Sequence, residues 1–434
     1  MEKRIRKILF LICLIIFLLA APAIILYFQG YRFDFEKKSL TKTGGLFLKV
    51  MPKQVEIYIN DKLVKKTDWF FGSTLIENLL PKKYKIGIEK EGFYPWEKTL
   101  EIKEKEVTEV KNIILFPKNL DFQILTTNLK NFWFSPSGKE IVLLEKGEEE
   151  GWALKLYDLE KNVKSHLIDE YSLISTSRYA RVIEEKDIYS KGAALLNLEF
   201  SEDSKEIYLN VGIGEEERVF ALNLEKIPPS LSEKKIPPLS ENVIASQNFN
   251  GKNYYLDSFG HLFEGEEKLT QSPFSIKPEI EYQLNIFSDY IFLRESENLY
   301  LFNAKQGSFE KFFEKINDLK ISPDNKKLVF FSDSEIWVLF LKEKWDQPIK
   351  KAGEKLLITR LSEKIGDVFW LNSNYLIFNN GDKIRISEID DRDRINIIDI
   401  AEFNNPKLFF NRGDKKIYIM RKSDENLYSS AVLF

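Results

Sequence analysis

A chain of 434 residues is longer than one ordinary domain, and its 44% hydrophobic and 30% charged residues supply cores and exclude a disordered protein. The net charge of −3, with lysines and acids interspersed, removes the electrostatic case for nucleic acid. With 34 Phe, 18 Tyr and 7 Trp, the composition favours strands and an all-β fold class.

The first element is a basic tail, residues 1–7, in which Lys3, Arg4, Arg6 and Lys7 stand against Glu2. Residues 8–28 follow without a charge. As a helix rising ~1.5 Å per residue they span about 31 Å, the hydrocarbon thickness of a bilayer. Tyr27, Tyr31 and Phe33 fall at the depth of interfacial aromatics. A cleaved signal peptide with Ala21-Pro22-Ala23 as its small-residue site is the competing reading, but the apolar run continues past it to Phe28. The expectation is a retained signal anchor in the cell membrane, with the tail cytoplasmic and everything after Gln29 extracytoplasmic. Arg32, Lys37, Lys38 and Lys42 nearly balance the basic count, so this orientation rests on the usual form of an N-terminal export signal. Residues 29–43 read as a juxtamembrane linker.

The single cysteine, Cys13, lies in the apolar run, so no intramolecular disulfide can form. His166 and His261 are isolated from each other and from cysteine, and read as surface or blade-loop histidines. No metal and no cofactor are expected.

Residues 44–117 alternate with period two through Leu46–Val50, Val55–Ile59, Tyr84–Ile88 and Thr99–Ile102, with turns at Asn60-Asp61 and Glu91-Gly92 and a last strand over Val110–Phe116. A small β-sandwich satisfies this pattern. Glu101–Lys111 reads as an exposed hairpin. The segment resembles the PEGA domain, through Pro52, Val55-Glu56-Ile57-Tyr58-Ile59-Asn60-Asp61-Lys62, Leu80-Pro81-Lys82-Lys83-Tyr84 and Glu91-Gly92-Phe93. It departs from that family where the naming tetrapeptide is Pro52-Lys53-Gln54-Val55, where Thr74-Leu75 replaces Thr-Pro, and where Lys83 replaces glycine. The resemblance implies surface display or envelope contact without catalysis.

Residues 120–434 repeat an apolar strand, a polar turn ending in lysine and a second apolar strand. Clear copies are Phe132–Lys139, Leu198–Lys205 and Leu319–Lys326; weaker ones lie at Asn248–Lys252, Ile286–Tyr290, Phe369–Ser373 and Phe409–Lys415. Phe134 and Phe409 mark the ends of six steps over 275 residues, about 46 per step, which suits four-stranded propeller blades. Further strands recur at Leu154–Leu159, Val219–Leu224, Leu299–Asn303 and Ile336–Leu339. Seven blades are expected; uneven spacing, including a first step of 66 residues, leaves six or eight open. The Ser-Pro-Asp-Gly-Lys-like turns resemble those of TolB-like and WD-repeat-like propellers. The order of anchor, PEGA-like domain and propeller is similar to an arrangement in small-genome bacteria.

The repeated Ser and Asp read as turn residues, because proline presets φ and Asp, Asn and Gly tolerate the bend. No nucleophile elbow, Walker-type loop or metal-spaced histidines occur. Glu148–Glu150 and Glu215–Glu217 read as solvated hairpin tips, and Ile227–Pro238 as an extended inter-blade loop. The expected function is a non-enzymatic binding or scaffold protein at the membrane, engaging an envelope protein or cell-wall glycan. The alternative is a glycan-active hydrolase with carboxylates at the propeller centre. No residue is assigned a catalytic or ligand-binding role.

Overall fold

One helix, α1 (Lys3–Phe28), forms over the apolar run, with Pro22 inside it. Its stretch Ile5–Phe28 has mean hydropathy 3.2 and is unburied by the rest of the protein, so it is long and apolar enough to cross a membrane. A signal sequence has the same properties. The structure is a computed structural model and describes residues 3–67, 70–147, 151–176, 192–214, 216–226, 229–234 and 242–434.

The segment expected to be a linker is instead a hairpin, in which β1 (Tyr31–Asp34) pairs antiparallel with β2 (Ser39–Lys42). Asp34 caps the turn by accepting from the backbone N–H groups of Glu36 and Lys37, and this local carboxylate bonding closes the hairpin.

Next come seven strands in two sheets: β3 (Gly44–Met51), β4 (Glu56–Ile59), β5 (Lys62–Lys66), β6 (Ser73–Leu79), β7 (Lys83–Glu89), β8 (Trp96–Glu101) and β9 (Val107–Ile114). One sheet runs β6-β3-β9 and the other β5-β4-β7-β8. Inward residues of the alternating pattern, among them Leu46, Leu48, Ile57, Ile86 and Ile88, are fully buried in one shared core. Each such side chain contributes ~1.5–3 kcal/mol by leaving water. The proposed exposed hairpin at Glu101–Lys111 is only partly so. Its second half is β9, parallel to β3, with Thr108 and Val110 buried, because the sheet needed a third strand.

The remainder is a propeller of seven four-stranded sheets. Blades 1 to 6 begin with Leu129–Phe134, Ala193–Phe200, Val243–Phe249, Tyr282–Phe287, Asp318–Ile321 and Ile365–Asn372. Blade 7 comprises Pro406–Asn411, Lys416–Arg421 and Asn426–Ser430 and is completed by β10 (Phe122–Thr126), so the start of the ring is stitched to its end. The first strands of blades 3 and 4, and of blades 6 and 7, touch each other, which puts the first strands nearest the axis. Apolar clusters lie between blades: Leu129, Phe132 and Leu143 of blade 1 meet Tyr418, Met420 and Leu427 of blade 7. One blade alone could not bury both faces in this way.

All seven sequence marks fall on first strands, and the four further strands are the third strands of blades 1, 2, 4 and 5. The long first step contains a short helix, Glu170–Thr176. Part of the run read as an extended loop, Ser230–Lys234, is the outer strand of blade 2, where its alternating side chains pair with Val219–Asn223. Glu216 and Glu217 open the third strand of blade 2 rather than forming a tip; Glu215 and Glu148–Glu150 lie outside the described residues.

Candidate functional site

The recurrent turns use their own polar groups. The hydroxyls of Ser135, Ser201 and Ser322 accept from the backbone N–H groups of Glu140, Glu206 and Lys327, at 3.2, 2.9 and 2.9 Å. Ser201 and Ser322 also donate to Asp203 and Asp324, both at 2.6 Å. These groups hold the turns. His166 faces Asp169 on an outer strand, and His261 meets Thr270 and Lys268. Among the described residues, no group of three or more His, Cys, Asp and Glu could hold a metal.

At the axis, side chains of one first strand bond to the next. Gln247 accepts from Ile286 N–H at 2.7 Å, Lys320 Nζ donates to Val368 O at 2.9 Å, Asp367 accepts from Leu408 N–H at 2.9 Å, and Lys407 donates to Asn131 at 2.5 Å. Burial pulls the Lys320 and Lys407 ammonium groups down and pushes the Asp367 carboxyl up. Such perturbation often marks a functional site, but here each group ties blade to blade. Two of the axial acids are thus engaged: Asp367 as above, and Asp318 by Leu319 N–H, with Lys320 Nζ at 3.5 Å.

A cavity of about 320 Å³ opens at the seam between blades 7 and 1. Ring closure builds it, since it lies between the first recurrent turn and the last. Asn411 donates to Gly138 O at 2.8 Å and accepts from Gly413 N–H at 3.0 Å. Gly138 has φ +70°, and a Cβ there would lie 2.5 Å from Asn411 Oδ1, so a side chain at this position would push the Asn411 amide aside. Two buried tyrosines also line it: Tyr418 donates to Asp414 at 2.5 Å, and Tyr157 donates to Asn162. Burial raises both phenols, and Asp414 raises Tyr418 further, so both are neutral donors at pH 7. Lys139 pairs with Glu160 at 3.0 Å, and Lys416 N–H donates to Asp414 at 3.0 Å. Two cations and two anions leave the lining without net charge.

The same end of the ring carries the small β-domain. Turns joining first to second and third to fourth strands all lie at one end of antiparallel blades. The domain rests on such connections in blades 5 and 6. Lys98 Nζ, from β8, lies 2.7 Å from Glu388 and donates to the carbonyls of Asp390 and Arg394. Trp96 Nε1 donates to Glu388 at 2.9 Å, Arg392 donates to Glu109 O at 2.8 Å, and Tyr375 accepts from Ile114 N–H at 3.0 Å. A cleft of about 40 Å³ remains beside this junction. There burial pulls the Lys344 ammonium down to about 8. The sequence offered no signal for either place, because the seam and the junction join residues hundreds of positions apart.

No family model matches the chain, and no curated protein matches it. Among solved structures it is similar to the β-propeller domain of Cps50 (Swd1) from Myceliophteria thermophila, at 11% identity and TM-score 0.42, over 73% of this chain and 100% of that one. It is also similar to YCF48 bound to D1 peptide, at 12% identity and TM-score 0.40, over 73% and 96%. A third is an oligogalacturonate lyase in complex with manganese, at 10% identity and TM-score 0.41, over 72% and 96%. The fold class of this chain is all-β, an apolar N-terminal helix with a small β-sandwich and a propeller.

Proposed function

We propose that the chain is a single-pass, membrane-tethered binding protein whose extracytoplasmic propeller engages the cell envelope without catalysis, its ligand a neutral sugar unit of wall glycan. The seam cavity carries this reading. Its size is at the small end of ligand sites, and it offers neutral phenols, an amide and a carboxylate with no net charge. It lies on the end of the propeller that also holds the small β-domain, which the resemblance reads as a PEGA-like envelope module. The engagement of Asp318 by its own strand and of Asp367 in a blade-to-blade bond supports binding over hydrolysis.

The test uses the full chain in lipid nanodiscs, incubated with isolated wall glycan and separately with detergent-solubilised envelope proteins. Retention on glycan that a seam variant loses supports the reading. Retention of one protein, unaffected by that variant, would replace glycan by a protein partner.

A further inference from the structure

The hairpin that follows α1 has two unlike faces. On one, Asp34 is 5% exposed and Arg32 donates to Asn78 of β6 at 2.9 Å. At the turn, Glu36 pairs with Lys82 at 2.9 Å, and just past β2 Thr43 O accepts from Lys105 N–H at 3.1 Å. The hairpin is therefore clamped to the small β-domain. On the other face Phe33, Phe35 and Leu40 are 47%, 83% and 55% exposed. Phe33 pairs across the strands with Leu40, and its ring lies 5.1 Å from that of Phe35, so the three form one apolar patch. A soluble surface rarely leaves such rings together in water. The patch begins five residues beyond Phe28, where Tyr27 and Phe28 are themselves exposed at the end of the span. Lys37 and Lys38 stand at the turn.

We propose that this hairpin is a second membrane contact, its Phe33/Phe35/Leu40 face lying in the lipid–water interface and Lys37 and Lys38 meeting anionic headgroups. Continuity with α1 selects the lipid surface as occupant, and the inference rests on α1 being a retained span. Aromatic rings prefer that depth, and lysines beside it are drawn by anionic lipid. Because the hairpin is clamped to the small domain, and that domain is locked to the propeller through Lys98 and Glu388, the contact sets the tilt of the whole body over the bilayer.

The experiment uses the full chain in bilayers of phosphatidylcholine with phosphatidylglycerol. A nitroxide is placed at Phe35→Cys in a Cys13→Ser background, at Val64→Cys in the same background as an aqueous control, and on native Cys13 to report the span. Position 35 is expected to favour oxygen over a water-soluble nickel chelate, and position 64 the reverse. Adding Lys37→Glu and Lys38→Glu should lower the oxygen-to-nickel ratio at position 35 by about twofold in anionic bilayers. An unchanged ratio would overturn the role of the lysines. A label at 35 in water, with Cys13 immersed, would overturn the contact and leave the anchor standing. A label at Cys13 in water would overturn the anchor itself. Dipolar broadening between labels at 35 would assign the patch to a second copy and overturn the lipid contact.

Discussion

The ammonium of Lys98 lies 2.7 Å from Oε1 of Glu388, the lysine side chain wholly buried and the glutamate side chain 5% exposed. Asn396 and the Trp96 indole donate to the same carboxylate. Burial pushes the Glu388 carboxyl up, and the Lys98 charge opposes it. A buried pair of this kind adds little net stability against an apolar pair, but losing one partner is costly. Its consequence is geometric: the small domain and the propeller have one relative orientation.

The junction can be tested by breaking it. Glu388→Gln leaves the Lys98 charge buried and should destabilise the protein by about 3–5 kcal/mol in urea unfolding. The double variant Lys98→Met/Glu388→Leu should recover most of that loss. A single variant within about 0.5 kcal/mol of the parent would argue against the lock.

Acid should act through Glu295, which is 1% exposed. Burial pushes its carboxyl up, yet Lys277 at 3.0 Å and the Tyr282 and Tyr300 hydroxyls, both at 3.1 Å, hold it below the usual range. A depressed folded pKa gives stability that is present above the unfolded value of about 4.3 and is lost as pH falls through the folded pKa. Glu295→Gln should cost about 1.5–3 kcal/mol at pH 7. Its stability should then fall less steeply than the parent's below about pH 4, read from denaturation midpoints across a pH series.

Ring closure predicts a contrast between two leucines. Leu427 is fully buried between blades 7 and 1 in the last strand, whereas Leu75 on β6 is exposed. Leu427→Ala should cost about 2–5 kcal/mol, and Leu75→Ala less than about 0.5 kcal/mol. Hydrogen exchange should speed first in Phe122–Thr126, whose partner strand carries Leu427.

The seam cavity predicts a loss of binding without a loss of fold. Asp414→Asn keeps an oxygen acceptor for Tyr418 and removes the negative charge. Retention on wall glycan should fall about tenfold, equivalent to about 1.4 kcal/mol, while the unfolding midpoint stays within about 1 kcal/mol of the parent's. Equal retention would take the sugar site away from this seam.

Much of the architecture was legible because it is local. The uncharged run to Phe28 can only be one long apolar helix, and period-two alternation such as Val55–Ile59 already says which face enters a core. A short polar turn after an apolar strand marked every blade, including those where the Ser-Pro-Asp signature had decayed, because a tight turn needs the same backbone chemistry wherever it occurs. The hairpin after α1 escaped notice, since its strands are four residues each and its closing carboxylate, Asp34, works only once folded. Edge strands such as Lys62–Lys66, exposed throughout, carry no alternating burial to read.

What tertiary structure alone decided is which distant residues meet. Nothing in the chain's local pattern pairs Lys98 with Glu388, or the turn of Gly138 with that of Asp414. The first follows from one domain docking on blade 6, and the second from a ring that joins β10 to its last strand. Sequence determined most of the elements and the existence of a repeat of about seven units, because hydrophobic period and turn chemistry act within a few residues. Closure and docking act between residues far apart in the chain, through packing and burial, and those set the cavity, the junction and the orientation of the body on its anchor.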